Sequence, residues 1–224
     1  MNYFSLENST LVKFLKAWDN QPFELCVAAI MLDTDNLQFV KNQDVNICKL
    51  AINKKPSAFA HVRAQCEEIC KYAVSQDPML LQYVKNQTPD VCLEAVSRNG
   101  LMLYIVESQT PEICHAAIKA DAIAIRHVIE QTRDLCKFAV ERDGLMLQYV
   151  EKQSKDICIA AIKQNPRAIQ YVKRKLPDLC RLAVNLNGLM LEYIHEQTPE
   201  ICRDAVENDP SAMKFVQAEF IPHI

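Results

Sequence analysis

Hydrophobic positions recur along this chain at a constant interval, the one that separates Cys26 from Cys48. A cysteine marks each copy of this twenty-two-residue repeat, and the nine are Cys26, Cys48, Cys70, Cys92, Cys114, Cys136, Cys158, Cys180 and Cys202. Leu, Ile or Val precedes each of them, an alanine follows three residues later, and a β-branched residue follows that alanine. These offsets share one side of an α-helix, so the pattern predicts an amphipathic helix in every repeat.

Capping residues predict where these helices begin and end. Thr88 is a candidate N-cap, and Pro89 suits the first helical position, where a missing N–H costs nothing. Asn99, seven residues after its cysteine, ends the first helix and can cap a second one. We expect Gly100 to supply a left-handed turn there, and we expect the same of the equivalent glycines in two later repeats. The glycines of the chain are Gly100, Gly144 and Gly188.

A second helix of roughly nine residues completes each repeat, with apolar residues as at Leu80, Leu81 and Val84. Isolated helices this short are marginal in water, so each pair needs neighbours to bury its apolar side. The predicted fold is all-α, an α-solenoid of about nine stacked two-helix repeats. We predict an N-terminal capping helix at 1–20, the repeats at 21–219 and a tail at 220–224, in one continuous domain.

The runs Gln109 to Ile118 and Gln197 to Val206 read Gln-Thr-Pro-Glu-Ile-Cys-x-x-Ala followed by Ile or Val. This pattern resembles the short tandem helical repeats of unknown function in multi-copy families of giant DNA viruses that infect amoebae. The resemblance extends over nearly the whole chain. It implies a helical array in a viral or host cytoplasm, and it implies no catalytic residues.

Charge and cysteine content narrow the function classes. A net charge of −3 gives no global attraction to nucleic acid or to an anionic membrane. The longest apolar run, Leu25 to Leu32, is far shorter than the ~20 residues that span a bilayer. Periodic cysteines one helix layer apart are too distant for disulfides, so we expect free thiols and a cytoplasmic location.

Two sets of polar residues have both a structural and a functional interpretation. Cys66 and Cys70, with His61 nearby, are a weak zinc candidate, since a zinc site needs about four ligands. We expect no catalytic residues, cofactor or metal. A glutamine closes each repeat except at Lys175, and it could bind a peptide backbone or bond helix ends and the next repeat. We favour the second role.

Basic residues directly after the cysteine could form a stripe for nucleic acid. Lys71, however, follows Glu68 by three residues, and the same spacing recurs at other repeats, so we predict neutralising pairs within one helix. The basic residues at this position are Lys49, Lys71, Lys137, Arg181 and Arg203.

The second helices carry a candidate partner-binding surface made of two adjacent rows. The first, which we call the variable row, contains Gln82, Tyr104, Arg126, Gln148, Gln170 and Glu192. The second, which we call the aromatic row, is one position further along each repeat and contains Tyr83, His127, Tyr149, Tyr171 and Tyr193. The variable row lies away from the apolar side, whereas the tyrosines suit either a recognition surface or the flank of the core.

We expect a non-enzymatic scaffold that binds an unidentified protein partner along this surface. The alternatives are single-stranded RNA binding, by stacking of bases on the aromatic row, and self-assembly into a homo-oligomer or structural array. The acidic balance argues against nucleic acid, and no membrane association is expected.

Overall fold

The protein is described over residues 2–223 by a computed structural model; Met1 and Ile224, which the predicted boundaries include, lie outside this range. Its α-helices are α1 (Asn8–Ala17), α2 (Phe23–Leu32), α3 (Val45–Lys54), α4 (Glu67–Gln76), α5 (Pro89–Arg98), α6 (Pro111–Ala120), α7 (Arg133–Arg142), α8 (Lys155–Gln164), α9 (Pro177–Leu186) and α10 (Pro199–Asn208). Residues 2–223 contain no β-strand.

Short 3₁₀ helices alternate with these α-helices. Their bounds are Tyr3–Ser5, Thr34–Phe39, Pro56–His61, Pro78–Tyr83, Gly100–Ile105, Ala122–His127, Gly144–Tyr149, Pro166–Tyr171, Gly188–Tyr193, Pro210–Phe215 and Ala218–His223. The predicted all-α fold with a repeating two-helix unit is therefore confirmed. Helix α1 lies within the predicted capping segment, and the last 3₁₀ helix occupies part of the predicted tail.

The chain forms two compact units, one up to Ile113 and one from Cys114 onward. Within each unit, α-helices of successive repeats pack side by side, and successive 3₁₀ helices do the same. Each repeat thus buries its apolar side against its neighbours in the same unit, which is the logic of a one-dimensional stack. The single continuous domain stays a prediction.

The second helix of each repeat is a six-residue 3₁₀ helix, not the nine-residue helix that we predicted. In Gly144–Tyr149, Asp143 caps the start by accepting the Leu145 N–H at 2.9 Å, and the Val150 N–H bonds the Leu147 carbonyl at 3.1 Å. A 3₁₀ helix has three residues per turn, so side chains three apart eclipse each other. Leu147 and Val150 therefore share the buried side, and Leu145 and Gln148 share the outward side.

The core contains the residues that the periodicity predicted. All nine periodic cysteines are buried, as are the nine alanines that follow them, whereas Cys66 is exposed. All ten cysteines are free thiols. Because the alanines have no exposed surface, a larger side chain at these positions would overpack the core.

The predicted caps of the α-helices are confirmed. Thr88 Oγ1 accepts the N–H of Val91, and Thr198 Oγ1 accepts that of Ile201, both at 3.4 Å. The proline after each threonine is the first helical residue.

The prediction of left-handed glycines is wrong, since no described glycine has a positive φ. Their role is close approach. A Cβ atom at Gly144 would lie 2.3 Å from the Ala161 carbonyl oxygen of the next repeat, and one at Gly188 would lie 2.2 Å from that of Ala205. The glycine N–H groups also donate across the repeat junction, for example from Gly144 to Gln164 Oε1 at 2.6 Å.

Candidate partner-binding surface

The predicted surface residues lie on the outward side and the flank of the 3₁₀ helices. The variable row is exposed at Gln82, Tyr104, Arg126, Gln148 and Glu192, and half-buried at Gln170. The aromatic row is exposed at Tyr83 and half-buried at His127, Tyr149, Tyr171 and Tyr193. Gln82, Tyr83 and Tyr104 belong to the first unit, and the others belong to the second.

The geometry of the 3₁₀ helix explains why the two rows differ in burial. Residues three apart eclipse each other, so Tyr149 stacks over the buried Met146. Gln148 instead stacks over Leu145, which is itself partly exposed. The aromatic row is therefore the flank of the core, and the variable row is the outward side.

Neighbouring repeats bring some of these side chains together in the second unit. The Arg126 guanidinium lies over the Tyr149 ring, 5.5 Å from its centroid, as in a cation–π pair. Arg167 donates to the Tyr193 hydroxyl at 3.4 Å. These two tyrosine rings thus adjoin side chains of the preceding repeat, and the contacts connect the surface laterally.

His127 is a poor charge carrier in this surface. Burial lowers the pKa of His127 below its usual value, and the adjacent positive charge of Arg126 lowers it further. The imidazole is therefore neutral at pH 7 and contributes hydrogen-bonding atoms rather than charge.

The sequence reasoning missed a third row, three positions before the variable row. Met79 is 40% exposed and Arg167 is exposed, while Leu145 and Leu189 are half-buried. Most members of this row are apolar, which in a repeat ordinarily indicates the core. Only the three-residue turn of a 3₁₀ helix aligns them with the variable row.

The glutamine row has the structural role that we favoured. Gln153 Nε2 donates to the Leu147 carbonyl at 3.1 Å and to the Tyr171 carbonyl at 3.0 Å, and its Oε1 accepts the Lys173 N–H at 2.9 Å. One amide side chain therefore joins two successive 3₁₀ helices. We call this arrangement the glutamine clasp.

The glutamine clasp recurs at other junctions. The equivalent three bonds are made by Gln21, Gln43 and Gln131. Gln197 makes the same hydrogen bonds to the segment of the next repeat. Within its own repeat, however, it donates to the Ile194 carbonyl. The clasp is thus a repeated part of the framework in both units.

The periodic cysteines complete the glutamine clasp. The thiol of Cys136 lies 3.7 Å from Gln131 Oε1, and that of Cys202 lies 3.3 Å from Gln197 Oε1, so each can donate to the amide oxygen. Burial raises the pKa of the Cys26, Cys48 and Cys70 thiols to about 11. Protonated, buried thiols of this kind are poor nucleophiles.

The prediction of basic–acidic pairs within one helix is wrong at Lys49, Lys71 and Arg181, whose acidic partners come from the next repeat, whereas Lys137 pairs within its own helix, with Glu141 at 3.7 Å. Lys71 Nζ lies 3.3 Å from Asp90 Oδ2, and Arg181 Nε lies 2.6 Å from Asp204 Oδ2. Because the repeats stack, the acidic residue on the neighbouring helix lies closer to these basic side chains than the residue three positions back does. The face is still neutralised at these pairs, by bonds that cross the repeat junction.

The zinc candidate is divided between two environments. Cys66 is exposed at the N-cap of α4, whereas Cys70 is buried, and His61 Nε2 lies 3.7 Å from Asp35. No group of three or more potential metal ligands occurs within residues 2–223. None of the described helices combines the length and apolar character needed to cross a bilayer.

Comparison with known proteins adds a family resemblance for part of the chain. Residues 132–176 match the model of DUF4116, a domain of unknown function. The matched segment contains α7 and α8 with the 3₁₀ helices Gly144–Tyr149 and Pro166–Tyr171, which is two repeats. No curated protein and no solved structure matches the chain. In these two repeats the protein is similar to a domain whose function is not known.

Proposed function

We propose that this protein is a non-enzymatic scaffold that binds a protein partner along the outward side of its 3₁₀ helices. The observation that carries the proposal is the contrast between constant buried positions and variable exposed ones in the same six-residue helix. The variable row includes Tyr104, Arg126 and Glu192, which differ in size and charge. Variable side chains at a fixed position give stacked repeats their binding specificity.

The glutamines and cysteines of the framework are not available for catalysis. The clasp amide of Gln153 is bonded within the chain, and the periodic thiols are buried. Ten free cysteines also favour a reducing compartment, so we propose a cytoplasmic protein. Tyr83 and Tyr104 are about half exposed, and tyrosine gives a large contact area with few rotatable bonds, as interface hot spots require.

A triple variant tests the surface. Tyr149, Tyr171 and Tyr193 are replaced together by alanine, and proteins captured from cell extract by immobilised wild type and variant are compared by mass spectrometry. We expect the partner to be retained by the wild type and lost from the variant. The variant's circular dichroism spectrum and thermal melt establish that it is folded.

A matched control replaces Lys163, Asn185 and Glu207, three exposed residues at one position of the α-helices, by alanine. This control should capture the same proteins as the wild type. If the folded tyrosine variant retains every protein that the control retains, the tyrosines that flank the outward side are not part of the binding surface.

Single-stranded RNA binding is tested by titrating a labelled oligonucleotide at two salt concentrations. Binding that weakens steeply with salt would favour RNA over the protein-partner proposal. The contact of Arg126 over the Tyr149 ring argues against stacking of a base there, because a side chain already covers that face of the ring.

A further inference from the structure

Among the nine junctions, only the one at Lys175 lacks the glutamine of the clasp. At Gln153, for comparison, the amide oxygen accepts the backbone N–H twenty residues later. The corresponding N–H at Lys175 belongs to His195, and an ammonium has no acceptor atom. Lys175 Nζ instead lies 3.5 Å from the Val172 carbonyl. Within residues 2–223, the His195 N–H has no hydrogen-bond acceptor.

A cavity opens where the amide is missing. Its volume is about 520 Å³, and its lining includes Lys175, Leu176, Ile194 and His195. The equivalent cavity at the Gln131 junction, in the same unit, has a volume of about 270 Å³. The loss of the clasp therefore accompanies a near doubling of the space between two repeats.

The two cavities also differ in charge. Lys173, Arg174 and Lys175 line the larger one, together with a single carboxylate, that of Glu196. The smaller one is lined by two carboxylates, Glu130 and Glu151, and by a single ammonium, that of Lys152. The junction without glutamine is thus the basic one of the pair.

Two of the cations are available to a ligand. Lys173 Nζ already donates to the Glu151 carbonyl at 2.7 Å. It therefore adds positive charge to the cavity but is not one of the two available hydrogen-bond donors. Arg174 is exposed, and its guanidinium makes no hydrogen bond or ion pair within residues 2–223. The Lys175 contact of 3.5 Å is at the limit of a hydrogen bond and is readily exchanged.

A glutamate side chain matches this cavity. Its carboxylate can accept the His195 N–H and lie beside the cations of Arg174 and Lys175. Bonds from cationic donors to a carboxylate are shorter and stronger than neutral ones. Leu176 and Ile194 provide apolar contact for the methylene groups. The volume also admits neighbouring atoms of a peptide, since it falls in the range of ligand sites.

We propose that the Lys175 junction binds a glutamate side chain within an acidic segment of the protein partner. This inference rests on the proposed scaffold function and names a recognition feature of the partner. The exchange of glutamine for lysine leaves the His195 N–H without an acceptor beside three cationic side chains, and a partner's carboxylate interacts with both.

The test is a fluorescence anisotropy titration of the full chain with a labelled glutamate-rich peptide, for wild type and Lys175→Gln. The substitution restores the residue of the other junctions, so the variant should fold and be at least as stable as the wild type. We expect it to bind the peptide at least about tenfold more weakly. A glutamine-containing peptide of the same length should bind wild type at least about tenfold more weakly than the acidic one.

Gln131→Lys is the matched control, because it removes the clasp at the junction where carboxylates prevail. This variant should bind the acidic peptide no more tightly than wild type does. Equal affinity of wild type and Lys175→Gln, or no binding to wild type, would overturn the proposal. Binding of inorganic phosphate without binding of the peptide would also overturn it, in favour of a site for free oxyanions.

The peptide titration and the test of the scaffold function can succeed or fail independently. The variant with Tyr149, Tyr171 and Tyr193 replaced by alanine keeps the Lys175 junction and should bind the peptide as wild type does. If the peptide fails to bind while the tyrosine-dependent partner is still captured, the proposal for the Lys175 junction is wrong and the scaffold function stands.

Discussion

Along the buried side of most repeats the same atoms make the same bonds, whereas along the outward side of the 3₁₀ helices the side chains change from repeat to repeat. The glutamine clasp, the periodic thiol and the invariant alanine recur with little change. Arg126 and Glu192, at one outward position, carry opposite charges. The difference teaches that stability and recognition reside in separate residues, so mutation should affect them separately.

The largest effect should come from alkaline pH, because the buried thiols respond together. A cysteine in the unfolded chain has a pKa of roughly 8.5, whereas the Cys26, Cys48 and Cys70 thiols in the fold have a pKa of about 11. Between these values the unfolded chain loses protons that the folded chain keeps, so the free energy of unfolding falls as pH rises. The slope is about 1.4 kcal/mol per pH unit for each thiol.

Urea denaturation at several pH values from neutral to moderately alkaline measures this slope. Cys48→Ala should reduce it by roughly 1.4 kcal/mol per pH unit, since one titrating group is removed. An outward variant such as Gln148→Ala should leave it unchanged. A slope insensitive to Cys48→Ala would mean that this thiol does not contribute.

The next largest effect should follow Gly188→Ala. The added Cβ would lie 2.2 Å from the Ala205 carbonyl oxygen, which is backbone and cannot move aside alone. We expect a loss of about 3 kcal/mol in the free energy of unfolding, at the upper end for overpacking. Ala122→Gly, at the same position of another repeat, is the control and should cost only about 0.5–1 kcal/mol. Equal costs for the two changes would show that the junction at Gly188 is not tightly packed.

The smallest of these effects compares the two sides of one repeat. Gln153→Ala removes the three hydrogen bonds of a clasp and leaves the Lys173 N–H without its partner, which should cost about 2 kcal/mol. Gln148→Ala removes an exposed side chain and should change stability by less than about 0.5 kcal/mol. Thermal and urea unfolding of both variants measure the change in the free energy of unfolding. A similar loss of stability in the two variants would contradict the division between buried framework and outward surface.

The sequence predicted the core because each of its positions is restricted in residue type. Cysteine, alanine and a β-branched residue at helical spacing have few structural alternatives, and Thr-Pro marks a helix start without ambiguity. The glutamine row was likewise assigned correctly, since an amide at a helix junction usually bonds helix ends.

The sequence could not distinguish a 3₁₀ helix from a short α-helix, because six residues are too few to show a period. Leu80, Leu81 and Val84 fit either geometry. Partners between repeats were also out of reach: Lys71 has an acidic residue three positions back, but its distance to Asp90 depends on how the repeats stack. Lys175 stood out as a departure, yet only the structure shows the cavity beside it.

The short reach of the glutamine clasp has a consequence for how the chain assembles. The Gln153 amide bonds residues no more than twenty positions ahead, so closing one junction requires little loop-closure entropy. Proteins dominated by contacts between residues close in sequence fold fast, and folding can nucleate at any repeat and propagate to its neighbours. Whole copies could then be gained or lost in evolution without disturbing distant parts of the molecule.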